Sequence, residues 1–525
     1  MTASPRGRTS DGRVRVAAWL AAFAVLVYVV TGGGRVVSSD EVTMLEVSRA
    51  LLHGHVWVPE GATLRGPDGR DYSKNAAAQA VLALPVVAAA ELGARAAHLA
   101  PARANLAVRF AASFVNAIVA AVLLALFYLG ARALGAGTRA SLFGALLLGF
   151  GTPLWVYAKS FLAEPLEALG LLAALLGASL AGATPRAERL AAAGAFVAIS
   201  VKLSMLPLAL GVLVPLLGAP RRTWAWPALG IALALLGHGA YDMARFGTPF
   251  ETGYGVQATP AAYTTPILVG LYGLLLSSGK GLAWFAPAVW LAPFGLAAML
   301  RERAWESGAL ARAGFGTPRG RAAWGVLVAT GAALFLYSRF QHWAGDGSFG
   351  PRYLVPLLPL LVLCVTWSLI TASRMRWALA TLLLVLGIAV QIGGVSIYFG
   401  AQMREAGDYP YTLPLDDPRF MSDSHFNPRF SPIAGHWRML ARNAGEHLRG
   451  EAPRLTLGGA ADARVGVSAE DQRALLHGLD FWWLYLRYAG VGGAAPAALA
   501  LVLTVLAAFA AWRLARAAAA ESGTP

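Results

Sequence analysis

Apolar runs close to twenty residues long recur along the whole chain, and twenty is about what a helix needs to cross the hydrocarbon core of a bilayer. They fall near residues 16–33, 107–131, 140–156, 165–182, 189–201, 203–219, 223–241, 281–299, 323–338, 353–371, 377–399 and 485–512. Lipid accepts only helices and closed barrels, and these runs are continuously apolar. The expected fold is therefore an all-α polytopic membrane protein with about 12 transmembrane helices. Composition agrees: 57% of the 525 residues are hydrophobic and 14% charged, against roughly a quarter charged in soluble chains. The formal charge of +15 would suit nucleic acid if it were gathered on a polar domain. Instead the basic residues punctuate the apolar runs, so membrane lipids are expected as partners and nucleic acid is not. The single cysteine, Cys364, lies in an apolar run, which excludes an intramolecular disulfide.

Arginine placement sets the expected orientation. Arg6, Arg8, Arg13 and Arg15 precede the run Val16 to Val30, which ends without a small-residue cleavage site, so it reads as a retained first span. The turns with Arg132 and Arg139, Arg186 and Arg189, Arg221 and Arg222, and Arg374 and Arg376 fall on the same side as that tail. The positive-inside rule makes this side, and both termini, cytoplasmic. Lys202 decides the parity. One long helix over Leu190 to Leu217 would put Arg301, Arg303, Arg312, Arg319 and Arg321 outside, whereas two short helices meeting at Lys202 keep them inside. The expected organisation is a cytoplasmic tail 1–15, a transmembrane core 16–399 with a first outer loop 34–106, an extracytoplasmic region 400–484, a last span 485–512 and a tail 513–525. Segments 157–164 and 242–280 also face outward. Within the first loop, Ser38 to Leu52 reads as a capped amphipathic helix on the membrane, and Ala76 to Leu99 as a surface-hugging or half-inserted one.

Only four of the 43 basic residues are lysines: Lys74, Lys159, Lys202 and Lys280. All four fall on the outer side, where the charge rule disfavours cations. A compact ammonium suits phosphate, although membrane-edge lysines also snorkel to lipid without further purpose. Asp40 and Glu41 follow the first span directly. A carboxylate there can take a proton from an attacking hydroxyl, while the spacing Ser38-x-x-Glu41 also fits a capping box. Glu164-Pro165 places a second acid at an outer helix start, a position that also suits a plain first-turn acid. Arg352, after Gly350-Pro351, can grip phosphate bidentately or anchor at the interface beside Tyr353. His425 and His436 lack zinc-ligand spacing.

These residues resemble a known superfamily. Asp40-Glu41, then Arg49-Ala-Leu-Leu-His53-Gly-His, then Lys74 leading into an apolar helix with Pro85 are similar to the first outer loop of polyprenyl-phosphate-dependent glycosyltransferases. That superfamily includes protein O-mannosyltransferases and lipid A aminoarabinose transferases, with the C-type membrane glycosyltransferase fold. Glu164-Pro165 resembles its second acidic motif, usually Asp-Pro. The segments Leu275 to Leu282, around Lys280, and Trp343 to Tyr353 resemble later motifs of bacterial members. Lys74-Asn75-Ala76-Ala77 departs from the usual Lys-Pro-Pro-Leu, and residues 400–484 resemble no acceptor-binding domain.

The resemblance implies inverting transfer of a sugar from a polyprenyl-phosphate donor to an acceptor hydroxyl at the outer face of a bacterial inner membrane. Asp40 would be the base, with Glu41 and Glu164 as further acids of the site. Lys74, Lys280 and Arg352, with Lys159 and Lys202, would hold the lipid phosphate. No cofactor is expected, although Asp40 and Glu164 are a pair able to share a divalent metal. Two rivals share the architecture: a twelve-span transporter or flippase of a glycolipid, and a polysaccharide ligase or polymerase. The long first outer loop and the absence of two matching halves favour the transferase.

Overall fold

In the computed structural model of the protein, residues 5–59, 61, 63–301, 314–345, 347–407, 422–455 and 474–523 are described, with side chains from residue 11. Arg303, Arg312 and, within 400–484, residues 408–421 and 456–473 therefore lie outside the described residues. The described chain is almost wholly helical, and its single two-stranded hairpin pairs Thr63–Arg65 with Asp71–Ser73. The expected crossings fall largely on helix, except that the last, expected over 485–512, is displaced. There a short helix ends at Tyr488, a glycine-rich turn follows, and the long helix runs Ala495–Ser522 through most of the expected tail. Among the described residues six helices are long and apolar enough to cross a bilayer: Asp11–Val30, Ala78–Ala96, Pro101–Ala133, Pro318–Arg339, Arg374–Ser396 and Ala495–Ser522. The remainder are shorter, several because Pro153, Pro215, Pro287 and Pro356 interrupt the hydrogen-bond ladder. Ala78–Ala96, expected at the surface, is thus apolar and long enough to span. It turns back through His98, at a φ of 49°, into Pro101–Ala112.

Lys202 is the break that parity required. The helix Pro185–Val201, capped by Thr184, ends at Lys202 in extended backbone, and a short 3₁₀ turn starts the next segment. The basic turns then gather at one end of the bundle. Arg132 and Arg13 both reach Glu521 of the last helix, at 2.8 and 3.8 Å. Arg319 donates to the Leu134 carbonyl, Arg321 to that of Ala181, and Arg139 covers the Trp377 ring. The first and last helices lie side by side, with Trp19 edge-on to Phe509, so both chain ends share this pole. Asp40 and Glu164 open the helices Ser39–Leu52 and Glu164–Ser179, each following the far end of a helix that starts at this pole, and belong to the opposite pole.

The helices Glu164–Ser179 and Pro185–Val201 pack closely along their lengths, and almost every residue of the first is buried. Inside lipid there is little hydrophobic drive between helices, and small residues allow backbones to approach closely. A Cβ placed on Gly170 would lie 2.7 Å from the Ala198 nitrogen, and one on Gly194 2.6 Å from the Gly170 carbonyl oxygen. Neither backbone can yield. The helix Ser39–Leu52 also forms as expected, but it is buried on nearly all sides, with Ser48 Oγ donating to the Ala80 carbonyl at 2.9 Å. It is a wedge between the bundle and Ala78–Ala96 more than a float on the membrane.

The glycine contacts yield a stability test. Gly194→Ala should destabilise the protein by about 1–3 kcal/mol, the usual cost of overpacking, read as a lower melting temperature in detergent. Gly237→Ala, with open space around its Cα, should be neutral or slightly stabilising.

Candidate active site

At the pole opposite the arginine turns, one guanidinium joins two acids that are 124 residues apart in the chain. Arg352 Nη1 lies 3.1 Å from Asp40 Oδ2, while its Nε donates to Glu164 Oε1. Lys74 Nζ approaches the other Asp40 oxygen at 3.6 Å. Lys202 completes the group from the helix break, its ammonium 4.6 Å above the Tyr353 ring. Glu164 Oε2 is buried and has no hydrogen-bond partner among the described residues, the side chain being only 3% exposed. A buried acceptor without a partner is uncommon and costly, so this oxygen is available for a ligand donor. Asp40, at 20% exposure, and Lys74, at 33%, are reachable from outside.

Burial alone would push the Asp40 carboxyl up. Arg352 and then Lys74 overcome it, and the pKa falls to about 2. Asp40 is thus firmly ionised while both cations face it. Arg352 also stands between the two acids that were candidates to share a metal, and among the described residues no cluster of three acids, histidines or cysteines could hold one.

The supports of this group come from far along the chain. Arg245 donates to the Ser73 carbonyl and to Asp242, and Tyr254 OH to Asn75 Oδ1 at 3.2 Å, which fixes the loop on both sides of Lys74 without prolines. The turn before Glu164 is held by its own backbone groups. Phe161 N donates to Glu41 Oε1 at 2.6 Å, and Asn116 Nδ2 to the Ser160 carbonyl at 2.8 Å. Asn116 is in turn fixed by Gln79 at 3.0 Å.

The remaining expected residues sit apart from this group. Glu41 Oε2 accepts from Ser38 N and Ser38 Oγ at 2.9 and 2.8 Å, the capping-box alternative, so both its oxygens are engaged. Lys159 is buried on Asp480, 2.7 Å from Oδ2, and Arg35 Nη2 meets Oδ1 of the same acid at 2.6 Å. Burial opposes ionisation of Asp480, but Arg35 and Lys159 hold its pKa below the usual carboxylate value. Lys280 donates to the Ser348 carbonyl at 2.6 Å and braces the loop that delivers Arg352. Sequence reasoning did not single out Glu167, Arg35 or Asp480. Glu167, buried one turn beyond Glu164, carried a signal in its i+3 spacing. The Arg35–Asp480 pair carried none.

No family model matches the sequence, and no curated protein matches it. Two solved structures are similar in fold. ArnT from Cupriavidus metallidurans bound to undecaprenyl phosphate is 17% identical, with 97% of this chain and 78% of that one covered at a TM-score of 0.48. The apo state of the same protein is 16% identical, with 87% and 88% covered, also at 0.48.

The lowered pKa fixes the sign of an acid response. Asp40 would titrate near 4 in an unfolded chain, so the stability it contributes is complete above about pH 4 and is lost as pH falls toward 2. The stability advantage of the wild type over Asp40→Asn, followed by unfolding midpoints from pH 6 to 2, should shrink across that window. An advantage independent of pH would show that Asp40 is not held by these cations.

Proposed function

We propose that the chain is an integral-membrane glycosyltransferase that moves a sugar from a polyprenyl-phosphate donor to an acceptor hydroxyl, with inversion, at the extracytoplasmic face. The observation that carries this is the meeting of Lys74 and Arg352 on Asp40, beside the unpartnered oxygen of Glu164. A transferase of this class needs a base for the acceptor and fixed cations for the phosphate that leaves. The group supplies both within one pole of the bundle.

The acceptor oxygen forms a bond to the anomeric carbon from the face opposite the phosphate. The bond from that carbon to the phosphate oxygen breaks, and its electron pair leaves on the lipid phosphate. The acceptor proton goes to Asp40. Lys74 and Arg352 neutralise the leaving phosphate, with Lys202 adding to the local positive field. Glu164 keeps Arg352 in place and offers Oε2 to a sugar or acceptor hydroxyl. In the resting protein Asp40 is a weak base because two cations hold it. An arriving phosphate competes for those cations, which raises the proton affinity of Asp40 when the acceptor needs it. Base strength is thereby tied to donor occupancy.

Two experiments test the proposal. Lys74→Met should weaken binding of polyprenyl phosphate itself, with no sugar attached, roughly ten- to a hundredfold, because a hydrogen bond to a charged group contributes about 1.5–3 kcal/mol. Arginine at position 74 should rescue only in part, and Arg376→Gln at the basic pole should change nothing. In the same preparation Asp40→Asn should keep lipid binding and lose at least ~10²-fold in transfer. Lipid binding indifferent to Lys74 would favour the transporter reading.

The second concerns sidedness. Cys364 is buried, so introduced thiols report cleanly. Arg70→Cys should react with an impermeant reagent in intact cells and Ala183→Cys should not. The reverse pattern would place the Asp40 group in the cytoplasm.

A further inference from the structure

A second place for an anion lies away from the Asp40 group. A recess of about 340 Å³ opens among Gln402, Glu405, Arg429, Phe430, Gly435 and Arg438. That volume falls within the range of small-molecule pockets. Its two arginines are presented by fixed backbone. Arg429 sits in the 3₁₀ turn Pro428–Phe430, capped by Asn427, and Gln402 Nε2 pins the Phe430 carbonyl at 3.0 Å. Arg438 is on the helix Pro432–Leu448, which is tied to the bundle by His436 on the Gly393 carbonyl and Trp437 on that of Ala389.

Charge in the recess is unbalanced. Among the described lining residues Glu405 is the single acid, and it is engaged by Arg442, which also donates to the Leu476 carbonyl. Among the described residues neither the Arg429 nor the Arg438 guanidinium has an acidic partner, so two planar forks face one cavity with their charge unspent. Guanidinium forks match the geometry of phosphate and carboxylate oxygens. Trp437, exposed beside Arg438, donates to the Ala389 carbonyl of Arg374–Ser396, a helix long and apolar enough to span, and an exposed tryptophan beside arginine is the composition found where aromatic belts meet lipid headgroups.

We propose that Arg429 and Arg438 form an anion-binding site for a phosphate- or carboxylate-bearing headgroup of about sugar size, distinct from the Lys74–Arg352 group and independent of the transfer reaction proposed above. Gln402 lines one wall, and the absence of a side chain at Gly435, where a Cβ would meet Gln402 Cγ at 2.8 Å, keeps the recess open. The anion can belong to a membrane lipid or to a soluble molecule.

The test uses the full-length protein with two probes. Glucose 6-phosphate is titrated calorimetrically in detergent, and anionic-lipid retention is measured in nanodiscs of phosphatidylcholine with or without phosphatidylglycerol. Binding in the first arm identifies a soluble anion and in the second a headgroup, and either supports the site. Arg429→Gln and Arg438→Gln should each weaken it about tenfold, and the pair should abolish it. Both side chains are exposed, so melting temperatures should hold. Polyprenyl-phosphate binding through Lys74 should be unchanged in the double variant, which separates the two sites. Wild-type protein that binds neither probe, or a double variant that binds as well as the wild type, overturns the proposal.

Discussion

Arg352 is the interaction on which the Asp40 pole depends. Its guanidinium lies against Asp40 from the wedge helix and Glu164 from a spanning helix. Without it two carboxylates would face one another in a poorly hydrated place, where removing one partner of a buried ion pair typically costs about 3–5 kcal/mol. The elements around it have that cation as a common reference. Lys280 braces the loop that carries it, Glu41 and Asn116 hold the turn before Glu164, and Arg245 with Tyr254 holds the turn of Lys74. The arrangement is rigid in its backbone and neutralised in charge, so an incoming phosphate exchanges ion-pair partners and need not create a binding site by movement.

The bilayer explains why so much of the architecture was readable in the chain. A span must be apolar and close to twenty residues, and the expected segments fall largely on helix, the last one displaced to Ala495–Ser522 where the glycines near residue 492 break the run. Lys202 was readable for the same reason: a cation in the middle of a long apolar run forces a break or a polar cavity, and here the helix breaks, with the ammonium turned to the Tyr353 ring. Ala78–Ala96 shows the limit, because length and hydropathy cannot separate a span from a half-inserted helix when its neighbour turns back at once.

Side-chain partners were legible only where local spacing implied them. Asp40, Lys74, Glu164 and Arg352 stood out because rare residue types appeared next to turns at one pole. Glu41 occupies its capping box, an outcome the four-residue spacing already contained. Lys159 could not be placed in advance, since its partner Asp480 lies 321 residues away. No periodicity or composition links the two. The same holds for the support of Lys74 by Arg245, which replaces with side-chain bonds the stiffness that prolines would have provided.

The cluster of Arg35, Lys159 and Asp480 has a consequence for how the chain is made. Two cations are buried early in the sequence, and the acid that neutralises them arrives only near residue 480. Until that part leaves the ribosome, the segment after the first helix and the turn after Ala158 carry like charges that cannot be withdrawn from water without a large penalty. The segment around Asp480 also clasps the first helix, with Trp482 and Trp483 donating to the carbonyls of Val29 and Val30. This pole therefore cannot close until the segment around Asp480 is made, and a chain stopped short of Asp480 would leave Arg35 and Lys159 without their shared acid.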